Sequence, residues 1–245
     1  MPIADLRGTR LYYEEYGNGY PLLLFAPGGM RSTISFWARS PWNPIETLSD
    51  RFRVIAMDQR NAGHSTAPIH SGNGWHSYTA DHVALMDHLK IDRAHVLGGC
   101  IGGPYCLGLM HAAPDRVSAA VLQQTIGYDG ENRPAFYDMF DGWANDLKPQ
   151  RPDVDPQAWQ AFRNRMYGGD FVFSVSRDFV RSCKIPMLIL LGNDRYHPSV
   201  TSREIAELAP NAELVEHWKE PEVIEQTVER VRSFLTLHTP RQQAT

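Results

Sequence analysis

The sequence predicts an α/β protein, a mostly parallel sheet with helices covering both faces. Three observations predict it. Short apolar runs rich in branched residues recur at 21–25, 53–57, 94–97, 119–123 and 187–191, each the length of a buried strand. Segments with apolar residues at three- or four-residue spacing lie between several of these runs. Glycine- and proline-rich turns close the runs, as a sheet exit requires.

Taken in order, residues 10–16 and 21–25 read as the first pair of strands, separated by the turn Gly17, Asn18, Gly19. Ala26, Pro27, Gly28, Gly29 and Met30 make a tight exit from the second strand. The strand at 53–57 runs into Asp58, Gln59, Arg60, Asn61, Ala62, Gly63, His64 and Ser65. Residues 77–90 predict a helix, because Ala80, Val83, Met86 and Leu89 fall on one face. The strand at 94–97 feeds a glycine-rich turn and a second helix carrying Tyr105, Leu109 and Ala112, and 119–123 is the next strand.

Residues 128–182 break this alternation with several aromatics, a proline-punctuated connection at 148–156, and short helices at 135–147 and 157–166. They are read as a small helical cap inserted into a core formed by 1–127 and 183–245. The sheet resumes at 187–191, followed by the turn Gly192, Asn193, Asp194, a helix at 200–208, a short strand at 213–215 and a last helix at 222–235.

At 245 residues, 42% hydrophobic and 21% charged, the chain can bury one large core and is neither disordered nor collagen-like. A net charge of -4 without a basic block argues against a nucleic-acid partner. No charged leader with an apolar run and no apolar stretch of about 20 residues is present, so no membrane partner and a cytoplasmic location are expected. A homo-oligomer is compatible with this composition. Three cysteines without paired motifs do not make a disulfide scaffold, and Cys106 and Cys183 read as small core residues. The scattered histidines have no metal-ligand spacing, and the glycine-rich turns lack the phosphate-loop and dinucleotide patterns. No cofactor and no metal are expected.

Gly98, Gly99, Cys100, Ile101 and Gly102 have the spacing Gly-x-Cys-x-Gly between a strand and a helix. Small flanks allow the strained turn that raises a side chain above a sheet. This resembles the nucleophile elbow of the alpha/beta-hydrolase family, with a cysteine in place of the usual nucleophilic serine. The resemblance covers residues 10–125 and 184–236 and implies an alpha/beta-hydrolase sheet flanked by helices with a small helical cap. It also implies an oxyanion hole from the amides of Gly29 and Ile101, with Met30 and Arg31 on the same loop as alternatives. Asp58 through Ser65 resembles the family's Asp-x-Arg-Gly-x-Gly-x-Ser loop, with Asn61 at the first glycine and with Asp58 and Arg60 as turn organisers.

Asp194, just past the strand at 187–191, stands where the resembled family places its acid. His217, after the strand at 213–215, stands where it places its base; His197, three residues after Asp194, is the alternative. On this reading Cys100, Asp194 and His217 form a Cys-His-Asp triad. Phe136, Phe140 and Trp143 in the cap either line the substrate or pack the cap. The expectation is a cysteine-dependent hydrolase cleaving an ester or thioester of a small or medium organic substrate through an acyl-enzyme. An acyltransferase, a carbon–carbon bond lyase or hydrolase, and a non-catalytic small-molecule receptor are the alternatives. Its partner is a small-molecule acyl or carbonyl substrate.

Overall fold

The computed structural model describes residues 2–6 and 8–241. Its strands are β1 (Ile3–Leu6), β2 (Thr9–Tyr16), β3 (Tyr20–Phe25), β4 (Phe52–Met57), β5 (Ala94–Gly99), β6 (Val117–Gln123), β7 (Met187–Leu190) and β8 (Ala212–Val215). Its helices are α1 (Pro44–Leu48), α2 (Trp75–His88), α3 (Gly102–Ala112), α4 (Arg133–Leu147), α5 (Pro156–Tyr167), α6 (Arg177–Ser182), α7 (Ser199–Leu208) and α8 (Ile224–Leu237). Among the described residues the strands form one sheet in the order β1-β2-β4-β3-β5-β6-β7-β8. From β4 to β8 every pairing is parallel, and β1 and β2 run antiparallel at one edge.

The central strands are apolar on both sides because both faces are covered. Leu23, Phe25, Ile55, Met57 and Val96 point into the cluster shared with Leu85 and Met86 of α2, Leu107 and Met110 of α3, and Ile205 of α7. Leu22, Leu24, Val54, Ala56 and Leu97 point the other way, onto Leu48 of α1 and Val231 and Leu235 of α8. Period-two alternation therefore sorts each strand between two cores rather than between core and water.

Two local readings differ from the structure. Strands β2 and β3 are chain neighbours but do not pair; β4 lies between them, antiparallel to β2 and parallel to β3. Their connection is fixed instead by contact with the approach to β4. A Cβ on Gly17, which has φ +67°, would stand 1.9 Å from the Ser49 carbonyl oxygen. Helix α2 starts at Trp75, two residues before its predicted start at 77. The buried Trp75 indole holds that first turn by donating Nε1–H to the Met166 carbonyl at 2.6 Å.

Helices α4 and α5 form a small helical cap. They meet through Phe140, Trp143, Trp159 and Phe162, whose rings pack edge to face at 5.2 to 5.9 Å. Trp143 Nε1 donates to the Asn61 carbonyl at 3.1 Å, which ties the cap to the loop after β4. Among the described residues no helix is long and apolar enough to cross a membrane.

Candidate active site

Strand β5 ends at Gly99, and Cys100 turns the chain into α3 with φ +59°. A non-glycine residue held there stores roughly 1–3 kcal/mol of strain. The surroundings enforce it: Cys100 N–H donates to the Gln123 carbonyl at 3.0 Å, and its own carbonyl accepts from Gly103 N–H at 3.1 Å and Ile126 N–H at 3.3 Å. Two glycines two residues either side make the corner possible. A Cβ on Gly98 would lie 2.1 Å from the Gly102 carbonyl oxygen, and one on Gly102 would lie 2.1 Å from the Phe25 carbonyl oxygen. The result is a half-buried sulfur at the mouth of the sheet.

The loop after β7 brings an acid and a base together. Asp194 Oδ2 lies 2.7 Å from His197 Nδ1. Its Oδ1 accepts from Tyr196 N–H at 2.9 Å and His197 N–H at 3.1 Å, so one carboxylate caps the turn and orients the ring. The ring side chain is only 12% exposed. Its buried Nε2 has no partner of ordinary hydrogen-bond geometry, and the ring is coupled to the Cys100 sulfur.

The charges follow from this arrangement. Burial works against a thiolate at Cys100, but the His197 charge and hydrogen bond, with the amides of Gly28 and Ile101, outweigh it and hold the thiol below its ordinary value. Burial likewise opposes a charged ring at His197, yet the Cys100 charge and the Asp194 hydrogen bond push it up to about 10. The hydrogen bond from His197 holds the Asp194 carboxyl well below the usual carboxylate range. Sulfur and ring thus each push the other toward its charged form.

Among the sequence candidates, Asp194 and His197 are in contact, and the Cys100 sulfur is electrostatically coupled to the ring. His217 is not brought to them. Its side chain is 83% exposed and its Nδ1 faces Glu220 at 3.9 Å. The reason lies in its neighbour: Trp218 is fully buried and donates Nε1–H to the Leu191 carbonyl at 2.8 Å, which turns the preceding side chain outward. Replacing His217 by Gln is accordingly expected to change kcat/KM by less than about twofold, because an exposed side chain away from the pair contributes little. Steady-state ester hydrolysis checks it.

At the oxyanion loop, the amides of Ile101 and of Gly28, one residue before the expected Gly29, act on the Cys100 sulfur. Gly29 has φ +58° and lies under Met139 of α4, whose Sδ would be 2.2 Å from a Cβ there. Met139 was not foreseen, since nothing in its spacing marks it out. Of the cap aromatics, Phe140 and Trp143 pack the cap, while Phe136 is buried against Tyr167, Phe173 and Tyr196. Asp58 accepts from the backbone of Ile34 and His64 at 2.9 Å each, and Asn61 takes φ +56° in the same loop. Among the described residues no group of three or more His, Cys, Asp or Glu is placed to hold a metal ion.

A family model described as alpha/beta hydrolase fold matches residues 21–184. The chain belongs to this family. Curated members similar to it include a putative carbamate hydrolase, RutD, of Azorhizobium caulinodans, 36% identical over 140 residues, which cover 56% of this chain and 49% of that protein. A probable proline iminopeptidase of Leptolyngbya boryana is 29% identical over 180 residues, covering 69% and 53%. The chain spans about half the length of the curated relatives it matches. Among solved structures, the meta-cleavage product hydrolase CumD of Pseudomonas fluorescens superposes with a TM-score of 0.73 at 21% identity over 98% of both chains. The enol-lactonase of Burkholderia xenovorans superposes with a TM-score of 0.69 at 24% identity, over 96% of this chain and 100% of that one. At these identities the likeness is one of fold.

The comparison corrects the sequence reading on one point. That reading took the chain for a cysteine-bearing branch of the alpha/beta hydrolases and, from that, for a cysteine-dependent ester or thioester hydrolase. CumD was solved as a serine-to-alanine mutant, and serine occupies the elbow position there. Dependence on a thiol is therefore not a property of this fold's site. What the alpha/beta hydrolase fold supplies is the elbow itself, a strained corner that presents one side chain, whichever it is, to a base and to backbone amides.

Proposed function

We propose that this chain is an enzyme that cleaves esters of small organic molecules at the elbow, with His197 as its base and Asp194 as the carboxylate that orients it. The observation that carries this reading is the 2.7 Å contact between Asp194 and His197 Nδ1, on a ring whose opposite nitrogen is buried toward the side chain at 100. Asp194 fixes the ring's orientation and stabilises its charge, so Nε2 is left to exchange a proton with the elbow group and then with the leaving alcohol. The amides of Gly28 and Ile101 point at the same space and stabilise a developing oxyanion there. Water activated by His197 then releases the acid.

This reading needs the elbow geometry and not sulfur. Asp194→Asn leaves the elbow in place but takes the orienting carboxylate from His197, so it is expected to lower kcat/KM on p-nitrophenyl butyrate by about 10⁴-fold. Steady-state rates of the two proteins test this, and turnover in Asp194→Asn equal to the parent protein's would end the proposal.

A further inference from the structure

Asp194 and His197 are close in the chain, so their 2.7 Å contact is internal to one turn. The turn also closes on itself. Asp194 N–H donates to the His197 carbonyl at 3.2 Å, and His197 N–H donates to the Asp194 carbonyl at 3.1 Å. A turn built this way keeps acid and base together wherever it lies. It does not fix the distance from the ring to the elbow, which belongs to a segment far earlier in the chain. Contacts from outside the turn have to set that distance.

One buried side chain makes such a contact on both sides. Asn132, just before α4, is 4% exposed. Its Nδ2 donates to the Arg195 carbonyl at 3.0 Å and to the Gly127 carbonyl at 2.9 Å. Arg195 lies within the acid–base turn. Gly127 follows Ile126, whose N–H donates to the Cys100 carbonyl at 3.3 Å. A single amide group therefore completes a path of hydrogen bonds from the elbow backbone to the backbone between acid and base.

The amide is itself held in place. Asn132 N–H donates to Asp129 Oδ1 at 2.9 Å, and Asn132 Oδ1 accepts from Asp129 N–H at 3.3 Å. Two carbonyls on one side and an N–H on the other allow it one orientation. A carboxylate of the same shape would turn lone pairs toward both carbonyls. Packing closes the turn from two further directions. Phe136, at the start of α4, meets Tyr196 edge to face at 5.6 Å. On the strand side, a Cβ on Gly192 would stand 2.4 Å from the His197 carbonyl oxygen and 2.7 Å from the His197 Cβ.

We propose that Asn132 is a positioning residue, which sets the distance between His197 and the elbow by joining the acid–base turn to the strand exit that holds Cys100. It acts through the Arg195 carbonyl and not on the substrate. This inference rests on the function proposed above and adds to it the residue that registers the base.

The test uses Asn132→Asp and Asn132→Ser. The first keeps the size of the side chain and loses its donors; the second is too short to bridge the two carbonyls. Both residue types are favoured just before a helix, so α4 keeps its start in either variant. Each is expected to lower kcat on p-nitrophenyl butyrate by about 10- to 100-fold with KM changed less than about twofold, because a base displaced by roughly 1 Å loses its reach while binding is untouched. The pH midpoint of Cys100 alkylation by iodoacetamide should also move upward, since the ring's charge stands farther from the sulfur. Rates are taken per folded molecule, from circular dichroism, at a temperature well below each Tm. A role in folding alone would lower Tm and leave both kcat and the alkylation midpoint at the parent's values. That result, with Asp194→Asn inactive, would overturn the inference by itself. Full turnover in Asp194→Asn would instead overturn the reading beneath it.

Discussion

His197→Ala is expected to lower kcat/KM for an activated ester by about 10⁴-fold. The ring does three things that no neighbour can take over. On the function proposed above it moves the proton at the elbow, and it supplies both the positive charge and the hydrogen bond that hold the Cys100 thiol below its ordinary value. Losing the ring should therefore also raise the thiol toward or above the ordinary range, since burial alone pushes it up. Two measurements check this together: steady-state ester hydrolysis, and the pH dependence of Cys100 alkylation by iodoacetamide. The alkylation midpoint should move to higher pH in the variant. An unmoved midpoint would mean that the ring and the sulfur are not coupled.

Asp81→Ala should be the most destabilising single change away from the elbow, costing about 3–5 kcal/mol. Arg60 and Asp81 are 8% and 7% exposed at the side chain and make a two-pronged pair at 2.7 and 2.9 Å. Removing the carboxylate leaves a guanidinium that burial disfavours, with only Thr9 Oγ1 at 3.3 Å and the Tyr78 ring as company. For a chain of this size the loss corresponds to a fall in Tm of roughly 10 °C or more. The double change Arg60→Met with Asp81→Leu should recover most of it, because the cost is that of an orphaned charge and not of a missing attraction. Thermal unfolding by circular dichroism reads both. A double variant no more stable than the single one would show that the pair itself holds the loop.

Much of this molecule is legible in one dimension because its determinants are local. The strands around 22–25, 54–57, 94–99, 117–123 and 187–190 announce themselves by continuous apolar runs, since both faces of the sheet are covered and every residue is buried. The elbow is legible for a similar reason. Its glycines are required by backbone approach within a few residues, so the strained corner at Cys100 is written in the order of five adjacent side chains.

The edge of the sheet was harder to read. Strand β1 has no apolar run to mark it, since only alternate residues face inward, and β2 looks like half of a hairpin because its partner β4 comes some forty residues later. The site departs from the sequence reading in the same way. Topology puts a base after the last strand, and His217 fits that place; what decides otherwise is that Trp218 needs the interior and His217 cannot share it. Gly28 and Met139 at the oxyanion loop likewise acquire meaning only once α3 and α4 close over the elbow.

By itself, then, the sequence determined the layered α/β sheet and the corner at residue 100, because each depends on burial periodicity or on sterics among near neighbours. The tertiary structure alone decided which histidine meets Asp194 and which amides face the sulfur. Those depend on distances between segments far apart in the chain, and a hydrogen bond of 2.7 Å tolerates none of the slack that a hydrophobic pattern does.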